Sequence, residues 1–383
     1  MSETVMIVAG ETSGELYGAL LAEQIRKKSP NTAVIGIGGE RMQAAGVRMV
    51  SGISSAFGIT EAISSISSLK ETFSRAVRAF NNLRPSVLVL IDYPDFNLKL
   101  AVEARKLKIP VLYYVSPQVW AWRRGRVKKI ARLVDRMAVI LPFEEEIYRD
   151  TGLTTEFVGH PVLDEMNNIS SDKQSLKSEL GLDPKQPLIS LLPGSRPHEL
   201  KMLLPLLVET VKICREEFPE HQYAVPFAPN TDLLRHKTDI DSLQEQGVHI
   251  SKGRSLKTLA ASDAAVIASG TAALQAALLG VPLVVMYRVF PLTYWLGKKI
   301  IKVKWISLVN ILSDREVVRE LLQSDATAAN IVAELRRLTG DADHSAEIKH
   351  AYDRVRSLFS GRSASDRVSD MALEMAGLKG RTS

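Results

Sequence analysis

The sequence predicts an α/β protein built from two consecutive domains, each with a mostly parallel sheet covered by helices. Its length of 383 residues suits two domains of ordinary size. Short β-branched runs alternate with helical stretches, which is the rhythm of parallel strands joined by helices. This rhythm stops in a polar stretch near the middle of the chain and then restarts. The composition, 45% hydrophobic and 24% charged, is that of an ordinary globular protein.

The first domain is expected over residues 1–167. The helical stretches in it include residues 15–28 and 69–83. Its strand candidates are the short apolar runs at residues 5–9, 33–37, 87–91, 111–115, 137–140 and 156–158. Strands that are buried on both faces read as continuous apolar runs of this kind.

The second domain is expected over residues 187–345, after a polar, irregular linker at residues 167–186. Beyond about residue 326 the pattern is helical only, and the helices of residues 346–383 could pack back on the first domain. The strand candidates are residues 188–192, 222–226, 248–251, 264–268 and 283–287. In folds of this class ligands bind beyond the carboxyl ends of the strands, so two such domains would face each other across a cleft.

Several protein classes are excluded by composition and by missing motifs. The single cysteine, Cys214, forms no intramolecular disulfide, which fits a reducing cytoplasm and an inert buried thiol. The acidic start of the chain does not resemble a secretory signal. No apolar run approaches the roughly 20 residues that span a bilayer. Neither HExxH nor a paired CxxC occurs, so we predict no metal site.

Two strand ends of the first domain carry candidate site residues. The first strand leads into Gly10-Glu11-Thr12-Ser13-Gly14-Glu15, where glycine and a helix start favour an anionic ligand, although a plain turn explains the pattern equally well. Asp92 directly follows the apolar strand 87–91, which favours a general base facing the ligand site. Asp95 competes for that role, and a structural hydrogen bond is the alternative for Asp92.

Two strand-to-helix turns of small residues occur in the second domain. The first is Gly194-Ser195-Arg196 and the second is Ser269-Gly270-Thr271. Backbone amides, hydroxyls and an arginine at such turns suit a nucleotide diphosphate, and ordinary turns are the alternative. His160 lies near the apparent domain junction, where a structural role is favoured over a catalytic one.

Basic residues are interleaved with aromatic residues in two stretches of this chain, whose net charge is +6. The first comprises Trp120, Trp122, Arg123, Arg124, Arg126, Lys128, Lys129 and Arg132. The second comprises Phe290, Tyr294, Trp295, Lys298, Lys299, Lys302, Lys304 and Trp305. Both suit an anionic membrane surface. RNA and simple solvated faces are the alternatives.

Read in order, the motifs resemble one family, the lipid-A-disaccharide synthases, over nearly the whole chain. The most specific segment is Ser116-Pro117-Gln118-Val119-Trp120-Ala121-Trp122-Arg123. The others are Ala9-Gly10-Glu11-Thr12-Ser13-Gly14, Asp92-Tyr93-Pro94-Asp95-Phe96-Asn97, Phe157-Val158-Gly159-His160, Leu192-Pro193-Gly194-Ser195-Arg196, Ala268-Ser269-Gly270-Thr271 and Ser307-Leu308-Val309-Asn310.

The resemblance implies two Rossmann-like domains of the GT-B type and an inverting glycosyltransferase without a cofactor. The first domain would bind the acceptor and the second the UDP-sugar. Such enzymes join UDP-2,3-diacylglucosamine to 2,3-diacylglucosamine 1-phosphate, releasing UDP and a β-1,6-linked disaccharide phosphate. Asp92 matches the catalytic aspartate. Arg196 and the amides of Ser195, Gly270 and Thr271 would stabilise the leaving UDP, and Asn310 would orient the donor. The expected location is cytoplasmic, peripheral on the inner face of the inner membrane, with no nucleic acid as partner.

Three positions depart from the family pattern. Glu15 replaces an Asp in the first loop, Val309 replaces a Pro, and Gln275 replaces a Glu expected on the nucleotide ribose. Gln275 can still accept a hydrogen bond, without the strength that a charge gives. One helical face of Ile63, Ile66, Leu69 and Phe73 could admit acyl chains or dip into lipid, or simply pack on the sheet.

Other functions remain open at the level of sequence. The nearest are a lipid-linked UDP-N-acetylglucosamine transferase of cell-wall synthesis and a UDP-N-acetylglucosamine 2-epimerase, because both have the same fold. A non-catalytic nucleotide- or lipid-binding protein would be supported by Gln275 and Val309, whereas Asp92, Arg196 and Asn310 speak against it. RNA binding through the basic stretches is a further alternative.

Overall fold

The computed structural model describes residues 3–52, 62–122, 124–167, 169–289 and 303–378, without the side chains of Thr12 and of residues 62–66. The chain forms two compact units. Unit 1 comprises Met1–Glu165 and Phe359–Ser383, and unit 2 comprises Met166–Leu358. Both units are α/β with a parallel sheet, as the sequence predicts.

Unit 1 is built on a seven-stranded sheet of order β3-β2-β1-β4-β5-β6-β7, in which all pairs are parallel. Its strands are β1 (Thr4–Ala9), β2 (Ala33–Gly38), β3 (Arg48–Gly52), β4 (Val87–Ile91), β5 (Val111–Tyr114), β6 (Arg136–Val139) and β7 (Thr154–Phe157). Its helices before the crossing into unit 2 are α1 (Thr12–Lys28), α2 (Glu40–Ala44), α3 (Ala62–Leu83), α4 (Pro94–Lys106), α5 (Val127–Leu133), α6 (Glu144–Tyr148) and α7 (Pro161–Met166).

Unit 2 has a six-stranded parallel sheet of order β10-β9-β8-β11-β12-β13. Its strands are β8 (Leu188–Leu192), β9 (Gln222–Phe227), β10 (His249–Lys252), β11 (Ala264–Ala268), β12 (Leu283–Tyr287) and β13 (Glu320–Leu322). Its helices are α8 (Lys173–Glu179), α9 (Pro197–Glu217), α10 (Lys237–Glu245), α11 (Ser255–Ala261), α12 (Thr271–Leu278), α13 (Leu308–Ser313), α14 (Ala328–Gly340) and α15 (Ala342–Ser357). Short 3₁₀ turns are Arg124–Arg126, Arg149–Thr151, Leu233–His236 and Gln323–Asp325.

The sheets are buried on both faces. In β11, Val266 packs in one apolar cluster with residues of α9 and α14, whereas its neighbours Ala265 and Ile267 pack in another with residues of α12 and α15. Every residue of β1 and β4 is likewise buried. The apolar strands in the sequence therefore correspond to a sheet covered by helices on both sides.

The predicted linker contains a helix that the sequence reading missed. Asp172 caps α8 by accepting a hydrogen bond from the backbone N–H of Gln174, and Leu176 and Leu180 are buried. The carboxylate of Asp263 binds Lys177 at 3.0 Å and accepts the N–H of Leu188. The four-residue spacing of the two leucines is too short a pattern to predict a helix alone, so tertiary contacts decide it.

The last helix of the chain, α16 (Ala364–Met375), belongs to unit 1. It packs on α1 and approaches β4 and β5, burying Val368 and Met371. Ion pairs join it to the rest of unit 1. They link Lys28 to Asp366 and Asp370, Arg367 to Glu156, and Arg136 to Glu374.

Candidate active site

The order of the strands in the unit 1 sheet reverses between β1 and β4, which is the switch point of this sheet. From β1 the chain passes to β2 and β3 on one side, and then β4 pairs with β1 on the other. Ala9 is in register with Ile91, so the segments after them, which start at Gly10 and Asp92, leave the sheet side by side. Ligands of doubly wound sheets bind beyond the carboxyl ends of strands at such a switch point.

Asp92 and Tyr93 both have left-handed backbone conformations, with φ of 47° and 45°. Residues other than glycine adopt this conformation at a cost, and such strain collects at functional sites. The N–H of Asp92 donates to the carbonyl of Tyr114 at 3.0 Å. Its carbonyl accepts from the amide of Asn97 at 2.7 Å and from the hydroxyl of Tyr113 at 2.6 Å. The backbone is thus fixed on both sides, and Asp92 is half-buried.

Asp95, the competing carboxylate, has a different environment. Its side chain is 72% exposed and pairs with Arg126 at 3.0 Å. It lies in the first turn of α4, where an acidic residue is favourable to the helix dipole. These contacts fit a role for Asp95 at the helix start.

The first loop packs against the Asp92 loop. A Cβ added to Gly10 would lie 2.5 Å from the ring of Tyr93, so only glycine leaves room for that ring. Gly14 is buried against Ile91 at the start of α1, and Ser13 is half-buried beside it. Glu15 accepts the backbone N–H of Arg41 at 2.8 Å, which fixes α2 to α1. This contact favours a bridging role for Glu15 over direct contact with a substrate.

The strand order of the unit 2 sheet also reverses, between β8 and β11. Ile267 is in register with Leu192, so the turns that hold Gly194 and Ser269 emerge at the same sheet edge. The structure thus brings together the two turns that the sequence pairs as a diphosphate site. Ala268 is in register with Met286, so Tyr287 at the end of β12 lies at the same edge as Ser269. Burial, and then the charge of Glu199, raise the pKa of Tyr287.

Glu199 changes the expected role of the Gly194-Ser195-Arg196 turn. Its buried carboxylate accepts the backbone N–H groups of Ser195 and Arg196, each at 3.1 Å, in a capping box at the start of α9. The Ser195 amide, which was expected to stabilise a leaving diphosphate, thus donates to an internal carboxylate in this structure. The Arg196 guanidinium pairs with Glu199 at 3.5 Å, and its side chain is 54% exposed.

The Ser269-Gly270-Thr271 turn is open to a ligand at its centre. Gly270 is exposed, and a Cβ added there would meet no atom within 4 Å. It precedes α12, whose first amides give the helix N-terminus its affinity for anions. Thr271 and Gln275 are half-buried on the first turns of that helix.

Asn310 is buried, and hydrogen bonds within the protein occupy its side-chain amide. The amide nitrogen donates to the carbonyl of Val318 at 2.8 Å and to Glu320 at 2.9 Å. The amide oxygen accepts from the N–H groups of Val317 and Val318. Both N–H donors and both acceptor positions of the amide are thus used within the protein, whereas the resemblance predicts that Asn310 orients the donor sugar.

Glu320, which accepts a hydrogen bond from Asn310, connects this residue to the Ser269-Gly270-Thr271 turn. Glu320 accepts the N–H of Ile306 at 3.0 Å and that of Ser307 at 2.9 Å. The carbonyl of Ile306 in turn accepts the hydroxyl of Ser269 at 3.2 Å. Glu320 therefore fixes the segment that supports the Ser269 turn.

Buried titratable side chains lie near the unit 1 switch point. Burial raises the pKa of Glu144 to about 7, opposed by hydrogen bonds from Leu141, Trp120 and Ile140. Burial lowers the pKa of His160 to about 3. The imidazole packs edge-on against Tyr17 and Phe359, and its Nδ1 accepts the N–H of Val162, which supports the structural interpretation. In α9 of unit 2, burial raises the pKa of Cys214 to about 12, as expected of an unreactive thiol.

Three carboxylates of these sites were missed at the level of sequence. Glu199 had a local signal, because it stands three residues after the cap position of a helix that begins with proline. Glu144 and Glu320 had none, since Glu144 contacts Trp120 from 24 positions away and Glu320 contacts Ser307 from 13 positions away.

The chain is similar to known proteins over nearly its whole length. A family model described as Lipid-A-disaccharide synthetase matches residues 5–375. The lipid-A-disaccharide synthase of Syntrophus aciditrophicus is 41% identical over 376 residues, which cover 98% of each chain. That of Geobacter metallireducens is 40% identical over 385 residues, covering 99% of this chain and 98% of its own.

The chain belongs to the lipid-A-disaccharide synthase family. Membership of this family makes it a glycosyltransferase, of the hexosyltransferase class, in lipid A biosynthesis. The resemblance drawn from the sequence motifs is confirmed, and so is the class of reaction.

Solved structures confirm the GT-B type of fold. A UDP-GlcNAc 2-epimerase from Neisseria meningitidis bound to UDP-GlcNAc matches with a TM-score of 0.68 at 11% identity, covering 97% of this chain and 100% of the other. MurG of Acinetobacter baumannii matches with a TM-score of 0.56 at 13% identity, covering 97% and 99%. At such identities the likeness shows the fold alone.

The described residues carry no metal cluster and no membrane-spanning helix. Among them, no three His, Cys, Asp or Glu side chains are grouped so as to hold a metal ion. No helix within the described ranges has the length and apolar character needed to cross a bilayer. Most of the second basic stretch lies outside the described residues, and so does Arg123 of the first stretch. The residues of the second stretch concerned are Phe290, Tyr294, Trp295, Lys298, Lys299 and Lys302.

Proposed function

We propose that the chain transfers the sugar of UDP-2,3-diacylglucosamine to the 6-hydroxyl of 2,3-diacylglucosamine 1-phosphate by a single inverting displacement. Asp92 is the general base, and UDP is held by unit 2. The observation that carries this proposal is the backbone of Asp92, which is strained, anchored on both sides and placed at the switch point of the sheet. Surrounding structure that maintains this strain also fixes the backbone position from which the carboxylate side chain projects.

Inversion requires a base on the face of the sugar opposite the leaving group. The donor is α-linked and the product β-linked, so the acceptor oxygen attacks as its proton moves to the base. A half-buried carboxylate can do this, because it stays accessible to substrate while water around it is limited. The three anchors of the Asp92 backbone reduce the conformational freedom that the reaction would otherwise have to restrict.

The leaving UDP gains negative charge as the glycosidic bond breaks. In this proposal the charge is met by the guanidinium of Arg196 and by the N-terminus of α12 at Gly270 and Thr271. Ser269 shapes that turn through its bond to Ile306, and Gln275 lies one turn along α12 to meet the ribose. Asn310 acts indirectly, by positioning α13.

The test of the base is the substitution Asp92→Asn. We expect the kcat for disaccharide formation, followed by mass spectrometry with both acylated substrates in detergent, to fall by roughly 10²–10⁴-fold. Because unit 2 is unchanged, the Kd for UDP stays as in the unmodified chain. The matched control is Asp95→Asn, which removes an exposed carboxylate three positions away and should leave kcat within about twofold.

Three outcomes would contradict the proposal in different ways. Loss of UDP affinity in Asp92→Asn would make this residue a structural support. Loss of activity in Asp95→Asn alone would move the base to Asp95. No disaccharide from the unmodified chain, with turnover of unacylated UDP-N-acetylglucosamine instead, would favour the epimerase or the cell-wall transferase.

We also propose that the enzyme works on the anionic, cytoplasmic face of the inner membrane, with the first basic stretch in contact with lipid. In this stretch Trp122 is 39% exposed. Arg124, Lys128, Lys129 and Arg132 are exposed around it. Trp120 is partly buried against Phe143 and Arg126 pairs with Asp95, so these two belong to the fold. An exposed tryptophan that is surrounded by exposed basic side chains suits the headgroup region of an anionic bilayer.

The membrane proposal is tested with vesicles of phosphatidylglycerol and phosphatidylcholine. Each lysine near an anionic surface contributes about 1 kcal/mol, so Lys128→Gln/Lys129→Gln should weaken binding by roughly tenfold or more. The control, Lys185→Gln/Lys349→Gln, removes the same charge from exposed positions of unit 2. Equal weakening by both variants, or binding to RNA with no preference for anionic lipid, would contradict the proposal.

A further inference from the structure

The loop of residues 115–122 follows β5 and begins directly beside Asp92. Ile91 is in register with Tyr114, and the N–H of Asp92 donates to the carbonyl of Tyr114. Val115 has a left-handed backbone with φ of 68°, which is an outlier for a β-branched residue. Two neighbouring strands therefore end in strained residues at the same edge of the sheet. Such a conformation persists only where surrounding structure holds it.

Two buried polar contacts join this 115–122 loop to α6. Glu144 is 1% exposed and accepts the indole N–H of Trp120 at 3.2 Å. At the other end of α6, the hydroxyl of Tyr148 lies 2.9 Å from that of Ser116. The ring of Phe143 packs edge-on against Trp120 with centroids 5.3 Å apart. The loop is thus fastened near both of its ends to one short helix.

Glu144 is also bonded on its other side. Its second carboxylate oxygen accepts the backbone N–H groups of Ile140 at 3.3 Å and Leu141 at 3.1 Å, at the end of β6. Those two bonds alone would be explained by the local turn before α6. The bond to Trp120 is different, because it reaches a residue 24 positions away in a loop that carries a strained start. One carboxylate therefore ties the end of β6 to the loop after β5.

We infer that Glu144 is a positioning residue for the sugar acceptor: it acts through Trp120 to hold the 115–122 loop against the edge that carries Asp92. This inference rests on the proposed function, in which Asp92 takes the proton of the acceptor hydroxyl, so the acceptor binds at the edge that carries Asp92. A carboxylate suits the task because it only accepts hydrogen bonds and faces three N–H donors. A glutamine would turn an NH₂ group toward at least one of them.

The test is a double-mutant cycle of Glu144→Gln and Trp120→Phe. Each single variant should raise the acceptor KM by roughly tenfold, the effect of about 1.4 kcal/mol. The donor KM and the Kd for UDP should stay unchanged, because both belong to unit 2. If Glu144 acts through Trp120, the double variant should be no worse than the singles, whereas independent effects would add.

The matched control is Glu145→Gln. It makes the same change one position along α6, where the carboxylate is exposed and accepts the N–H of Phe157 in β7. The acceptor KM of this control should stay within about twofold of the unmodified value. Trp120→Phe keeps the two backbone contacts of Glu144, so it tests the inference even if Glu144→Gln does not fold.

The outcomes separate this inference from the function it rests on. No disaccharide from the unmodified chain would overturn both. Product from the unmodified chain, with an unchanged acceptor KM in Trp120→Phe and Glu144→Gln, would overturn the positioning role alone. Additive effects in the cycle, or equal increases in donor and acceptor KM, would assign Glu144 to general stability of unit 1.

Discussion

His160 illustrates how a single buried side chain constrains both stability and mechanism. Its ring lies between Tyr17 and Phe359, and its Nδ1 is used as an acceptor by Val162. Because burial lowers its pKa to about 3, the imidazole is neutral in the folded protein at pH 7. A neutral, fully enclosed ring that already accepts a hydrogen bond is a poor candidate for proton transfer. Its effect belongs to the stability of unit 1.

The depressed pKa of His160 predicts acid sensitivity. The unfolded chain binds this proton near pH 6.5 and the folded chain only near pH 3, so the stabilisation is present above 6.5 and is lost as pH falls toward 3. Each pH unit in this window costs about 1.4 kcal/mol. His160→Asn should be less stable at pH 7 yet show a shallower loss between pH 6.5 and 4, measured by urea unfolding. Parallel pH slopes in the two proteins would contradict this.

At the scale of elements, the N-terminus of α12 gives the sharpest probe of nucleotide binding. Gly270 has an extended backbone that any residue can adopt, and its missing side chain faces no protein atom. Gly270→Ala should therefore leave the thermal midpoint unchanged while raising the Kd for UDP by roughly tenfold, measured by calorimetry. Gly340→Ala is the control, because that glycine of α14 has equally open surroundings. Unchanged UDP affinity in Gly270→Ala would mean that no ligand approaches this turn.

The elements also show what could be predicted from sequence. Continuous apolar runs such as residues 87–91 and 264–268 predict buried parallel strands, and their ends predict where Asp92 and Ser269 lie. β3 and β13 were missed, since Arg48–Gly52 and Glu320–Leu322 are sheet-edge strands without an apolar run. Phe73 of α3 packs edge-on against Phe96 of α4, so at this residue the face meets a helix, where the sequence suggested lipid or the sheet. The side chains of Ile63 and Ile66 lie outside the described residues.

At the scale of the whole molecule, unit 1 is completed by residues from both ends of the chain. Its last helix, α16, buries Met371 completely and lies against α1, β4 and β5. The helix therefore supports the strands that carry Asp92 and the 115–122 loop. Its interface combines an apolar face with ion pairs such as Arg136 to Glu374.

Removing apolar volume from α16 should loosen unit 1 selectively. Met371→Ala is expected to cost about 2–5 kcal/mol and to raise amide hydrogen exchange in β4 and β5 before β8 and β11. Leu335→Ala, which empties a fully buried position of α14 in unit 2, should show the opposite order. Equal loss of protection in both sheets, from either variant, would mean that the two units unfold as one.

The position of α16 at the far end of the chain has a consequence for biosynthesis. Lys28 and Asp366 are 338 positions apart, yet they meet in unit 1. A ribosome adds about 5–20 residues per second. The apolar surface of α1, β4 and β5 that α16 covers therefore stays exposed for many seconds before this helix is made. All of unit 2 is synthesised in that interval. We therefore expect the newborn amino-terminal half to expose apolar surface until α16 is made and packs on it.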